Sequence, residues 1–209
     1  MALNFFCITG CVVQTIMAAF TLNFPDSTGK IVGRTREYVI RLAETPGSEM
    51  KTAEALFLIR GSPASCLKVI SDFNHYPEFM PNIHFAKFVG KKDSCDMYHF
   101  IFRVAWKSIR YTNIFKQRSS DDGGYTISWQ YVGGDLKENN GSWDISPFCL
   151  QAGYSVIRYK IFIDTGMFVP GWARNLLMAK SIPKMIKAIS EQVQRTESQA
   201  MQSPGPLTP

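Results

Sequence analysis

Aromatic side chains fall on every second position between Met97 and Trp106. Tyr98, Phe100, Phe102, Val104 and Trp106 share one face, and His99, Ile101, Arg103 and Ala105 share the other. A two-residue period is the signature of a β-strand whose faces meet different surroundings. The pattern recurs at Tyr125–Val132, where Tyr125, Ile127, Trp129 and Tyr131 oppose Thr126, Ser128 and Gln130. It recurs again at Tyr154–Ile163, where Ile157, Tyr159, Ile161 and Ile163 oppose Arg158 and Lys160. A chain built this way has to cover one large apolar sheet face with something else.

Further strands are expected at Glu37–Ala43, Ala53–Arg60, Ile109–Lys116 and Ser142–Pro147, the last placing Trp143 beside Ile145. Turn chemistry separates them at Thr45-Pro46-Gly47-Ser48, Asp121-Asp122-Gly123-Gly124 and Gly133-Gly134. Successive short strands joined by such turns predict an antiparallel sheet. Ser62 and Pro63 suit the N-cap and first position of a helix. The cover is predicted in a long helix from Pro170 or Gly171 to about Arg195. On its wheel Trp172, Leu176, Ala179, Ile182, Met185, Ile186, Ile189 and Val193 oppose Arg174, Lys180, Lys184, Lys187, Glu191 and Arg195. Pro183 removes one internal hydrogen bond and is expected to kink it.

Ser71-Asp72-Phe73-Asn74-His75-Tyr76-Pro77-Glu78-Phe79-Met80-Pro81 follows the first helix. Gly141-Ser142-Trp143-Asp144-Ile145-Ser146-Pro147 and Gly166-Met167-Phe168-Val169-Pro170-Gly171-Trp172 come later in the same order. Together with the element order, these segments resemble the START-like (SRPBCC) superfamily, including its polyketide cyclase/dehydrase-like and coenzyme Q-binding members. The resemblance spans roughly residues 50–195. It implies an α+β helix-grip fold, a curved antiparallel sheet wrapped around a long C-terminal helix, with a cavity for a hydrophobic ligand between them. The residues supply a lining for such a cavity: Tyr98, Phe100, Phe102, Tyr111, Trp129, Tyr131, Trp143, Tyr159, Phe168, Trp172 and Leu176. A densely packed aromatic core is the alternative use of the same side chains. The expected function is a carrier or binding protein for a lipid, quinone or polyketide-like molecule. The alternative is a cyclase or dehydratase working through cavity tyrosines.

The rest of the sequence narrows this further. Residues 1–25 carry no charged side chain and form an apolar leader, read as a signal peptide or membrane anchor, with a packed N-terminal helix as the alternative. On the first reading the chain is exported or membrane-attached, and otherwise cytoplasmic. Residues 26–33 are expected to be a linker, 34–196 one domain, and 197–209 a disordered tail. The net charge of +6 includes no run of five basic residues, so no nucleic-acid partner is expected. Lys180, Lys184 and Lys187 instead offer one helix face to an anionic membrane. Cys7, Cys11, Cys66, Cys95 and Cys149 form no CxxC pair, and the three histidines sit in no zinc spacing. No metal, cofactor or catalytic set is expected, and the protein is expected to be a monomer.

Overall fold

The computed structural model of the chain describes residues 22–25, 28–104, 107–166 and 171–202, with side chains at all of these except 49, 171–179 and 200–202. Among these residues nine strands form one antiparallel sheet: β1 (Lys30–Arg34), β2 (Tyr38–Thr45), β3 (Ser48–Arg60), β4 (Ile83–Lys92), β5 (Cys95–Val104), β6 (Lys107–Ser119), β7 (Tyr125–Gly134), β8 (Glu138–Pro147) and β9 (Tyr154–Asp164). Their spatial order is β1-β2-β3-β9-β8-β7-β6-β5-β4. The single crossover, from β3 to β4, carries α1 (Pro63–Ile70), a 3-10 turn (Phe73–His75) and α2 (Tyr76–Phe79). Helix α3 (Gly171–Gln202) closes the chain.

The inward faces follow the two-residue period. Ala53, Ala55, Phe57 and Ile59 on β3 are buried, as are Ile157 and Tyr159 on β9 and Trp143 and Ile145 on β8. Ile182, Met185, Ile186, Ile189 and Val193 of α3 are buried against them, with Cys66, Val69 and Ile70 of α1. Burying a side chain of this size removes roughly 1.5–3 kcal/mol worth of apolar surface from water. Helix α1 starts where expected: Ser62 Oγ accepts from Ser65 N at 3.1 Å and Pro63 takes the first position. Helix α3 runs through Pro183 as one element.

Three expectations are corrected, and one strand is added. Residues 30–33 are not linker but belong to β1, which pairs with β2 from Lys30↔Leu42 to Arg34↔Val39. Residues 197–202 are helical, so the expected tail begins later. Gly133 and Gly134 lie at the end of β7, not in a turn. Gly134 has a φ of +131°, and a Cβ there would run into the Arg110 carbonyl, so glycine lets the two backbones close up. Strand β4 was not expected at all. It is an edge strand with register shifts at Ile83/Phe85 and Phe88/Gly90, and these bulges scramble its alternation.

The outer sheet face is not uniformly polar. Leu22 is buried, Phe24 stacks 3.9 Å from the guanidinium of Arg41, and the Thr28 carbonyl accepts from Arg41 Nη1, so Phe24 and Thr28 lie against the outside of β2. The rest of the apolar leader lies outside the described residues, as do Trp106 and the far end of the tail.

Candidate functional site

A cavity of about 410 Å³ lies between the inner sheet face, the α1–α2 corner and α3. That volume falls in the range of small-molecule pockets. Every third of the fold contributes. The Tyr-Pro corner supplies Phe73, Tyr76, Met80 and Pro81, and β5 supplies Phe100, Phe102 and Val104. Strand β6 supplies Ile109, Tyr111, Asn113 and Phe115. Across the sheet stand Trp129, Asn139, Trp143, Tyr159, Ile161 and Ile163, and α3 supplies Ser181, Ile182 and Met185.

The aromatic wall is a continuous chain of ring contacts. Tyr111 stacks on Phe100 at 5.3 Å, Phe100 meets Phe115 at 6.0 Å, and Phe115 meets Trp129 at 6.2 Å. Tyr159 completes it, 6.0 Å from Trp129 and 4.2 Å from Trp143. Such rings hold their shape without a ligand, because each is fixed by its neighbours and by its strand.

Polar groups on the wall are few. Trp129 Nε1 donates to Asn139 Oδ1 at 3.2 Å, and Tyr76 donates its hydroxyl proton to the Ile70 carbonyl at 2.6 Å. Burial pushes the hydroxyls of Tyr76, Tyr111 and Tyr159 up from their ordinary range, so all three remain protonated. They can donate hydrogen bonds; they are poor bases. Lys107 is the one charged residue on the wall among the described residues, and it is exposed at the start of β6. In the corner itself His75 and Asp72 pair at 2.7 Å on the surface. That hydrogen bond, then the charges of Asp72 and Glu78, hold the imidazole above its usual value.

Phe100, Phe102, Tyr111, Trp129, Trp143 and Tyr159 thus stand on the cavity wall. Tyr98 and Tyr131 do not. Tyr98 packs beneath the 3-10 turn, 4.9 Å from Phe73 and 5.6 Å from Phe88. Tyr131 turns its hydroxyl to the Leu136 carbonyl at 2.6 Å. Phe168 and the side chains of Trp172 and Leu176 lie outside the described residues. Phe73, Phe115, Asn113 and Asn139 were missed. Phe115 and Asn113 share the parity of Tyr111 on β6, which was the signal available for both. Among the described residues no group of three or more His, Cys, Asp or Glu could hold a metal ion. None of the described helices is long and apolar enough to cross a membrane. His99, on the outer face, bonds Thr112 at 3.1 Å.

A curved sheet gripping a long helix over an aromatic cavity defines a helix-grip, START-like protein. Residues 59–190 match the family described as "Polyketide cyclase / dehydrase and lipid transport", and the chain belongs to that family. Solved structures share its fold at low identity. A STAR-related lipid transfer protein from Xanthomonas axonopodis is 14% identical with a TM-score of 0.69, over 80% of this chain and 99% of that one. Human StAR-related lipid transfer protein 5 is 9% identical with a TM-score of 0.72, over 88% and 93%. The Zhui aromatase/cyclase from Streptomyces sp. R1128 is 14% identical with a TM-score of 0.55, over 75% and 99%. No curated protein matches by sequence.

Proposed function

We propose that the protein binds a hydrophobic small molecule in this cavity and acts as its carrier. The observation that carries the reading is an apolar, aromatic-walled cavity of about 410 Å³ whose one charged wall residue among the described residues, Lys107, is solvent-exposed. Burial of apolar surface at about 25 cal/mol per Å² is enough to hold a lipid-like molecule there. Lipid-transfer proteins among the structural neighbours support the same reading. The aromatase/cyclase neighbour supports the alternative, chemistry on a polyketide-like substrate. Against it stands the wall itself, which among the described residues carries no His or carboxylate to take up a proton.

Native mass spectrometry of the purified full chain is expected to show a co-purifying apolar molecule. Ile161→Trp should fill the cavity from β9, cutting uptake at least tenfold while thermal stability stays close to that of the parent. Failure of the parent to take up any apolar probe would overturn the reading. Turnover of a poly-β-keto substrate, abolished by Tyr159→Phe, would replace it with the enzymatic one.

The membrane is the natural source of such a ligand. Lys180, Lys184 and Lys187 are exposed on α3, opposite the buried Ile182, Met185 and Ile186. Part of this charge is internally compensated, since Lys187 approaches Glu191 at 3.8 Å. Binding to phosphatidylglycerol vesicles is expected to fall with salt and to drop several-fold when the three lysines become glutamate. Vesicle binding unaffected by that reversal would place the contact elsewhere. Export or anchoring through residues 1–25 is a separate proposal, tested by sequencing the mature N-terminus.

A further inference from the structure

Inside a largely apolar cavity, one buried polar side chain among the described residues is left unused. Asn113 is 3% exposed, lines the cavity, and its Oδ1 accepts no hydrogen bond. A buried amide oxygen without a donor is costly, and native structures tolerate few of them. Two tyrosine hydroxyls share the wall with it. Tyr111 lies two residues away on the same face of β6, and Tyr159 stands on β9 between Trp129 and Trp143. Both tyrosines line the same cavity as Asn113, and burial keeps their hydroxyls protonated and able to donate.

We propose that Asn113, with the hydroxyls of Tyr111 and Tyr159, is a neutral polar anchor, and that the bound molecule is an apolar compound carrying an uncharged hydroxyl group. The proposal rests on the cavity being a ligand site. It excludes a carboxylate or phosphate head at this position by charge and distance. Lys107 is six residues from Asn113 along β6, roughly 20 Å at strand rise, and no cation lies nearer on the wall among the described residues. An ionised head at Asn113 would be buried without a partner. A hydroxyl meets every group there: it donates to an amide oxygen and accepts from a tyrosine or from the amide nitrogen, whichever way the amide is turned.

The test compares two fluorescent probes of one shape, 4-(1-pyrenyl)butan-1-ol and 1-butylpyrene, on the full chain and on Asn113→Leu. The parent should bind both. Leucine nearly matches asparagine in shape and removes the unpartnered oxygen, so the empty variant should melt at a higher temperature. Its affinity for the alcohol should fall about tenfold, the worth of one buried hydrogen bond, while butylpyrene changes by less than twofold. Tyr159→Phe, which deletes a single oxygen, should show the same alcohol-selective loss, and it carries the comparison alone if Asn113→Leu does not fold. Equal changes for both probes would overturn the anchor and leave the cavity reading intact. Binding of neither probe by the parent would sink the cavity reading itself.

Discussion

Glu54→Ala is expected to destabilise the domain by about 3–5 kcal/mol, the cost of breaking a buried ion pair by removing one side of it. The residue sits on the outer face of the sheet, where a solvated side chain would be ordinary, yet it is 4% exposed and Arg41 is 2% exposed. Glu54 Oε2 accepts from Arg41 Nη2 at 2.7 Å, from Arg41 Nε at 3.0 Å and from Arg158 Nη2 at 3.1 Å. Three strands are joined through one carboxylate oxygen. What buries the cluster is the segment ahead of β1: Arg41 Nη1 donates to the Thr28 carbonyl at 2.9 Å and Phe24 covers the guanidinium. Removing Glu54 leaves Arg41 trapped under that cover. Urea unfolding should show the loss, and amide exchange of residues 28–34 should rise before the core opens. Arg41→Met with Glu54→Leu, which removes both charges and keeps the volume, should recover most of it. A Glu54→Ala protein as stable as the parent would mean that the other contacts of Arg41, Thr28 and Phe24 among them, suffice for it, and that the ion pair holds nothing.

This cluster also marks where sequence reasoning reached its end. Arg41 and Glu54 fall on the polar side of their strands by the same alternation that put Ile40 and Ala55 inside. Period alone assigns a face; it does not say whether another segment covers that face. The central strands were legible because the two sides of β5, β7 and β9 differ sharply in polarity. Edge strands β1 and β4 were not, since one side of each lacks a neighbour and bulges shift their register. The cavity was half legible for a related reason. Tyr98 and Phe100 have the same parity, but Tyr98 sits beneath Phe73 of the 3-10 turn, and only the position of that turn decides which ring meets the open space. Asn113 was readable in principle, as a polar residue at an inward position between Tyr111 and Phe115. It was passed over because one amide in an apolar row reads as noise until its oxygen is found unpartnered.

Gly141→Ala is the second substitution of large expected effect, and it couples the sheet to the shape of the cavity. Gly141 lies in the middle of β8, paired with Trp129 of β7 on one side and Ile161 of β9 on the other. A Cβ built there lies 2.6 Å from Trp129 Cη2 and closer still to Trp129 Cζ2 and the Lys160 carbonyl oxygen. Neither neighbour yields easily. The carbonyl belongs to the β8–β9 ladder, and the indole is pinned by its bond to Asn139 and by Phe115 and Tyr159 on its flanks. Overpacking of this kind costs about 3 kcal/mol, read as a lower midpoint in thermal or urea unfolding. Because Trp129 stands on the cavity wall, the same change should weaken pyrene-probe binding and shift the tryptophan emission. Trp129→Leu separates the two clashes. If the ring is the obstacle, the alanine should cost far less in the Trp129→Leu background, a coupling that a double-mutant cycle measures directly. If the penalty is unchanged, the Lys160 carbonyl bears the strain, and Gly141 serves strand pairing and not the seating of the cavity's tryptophan.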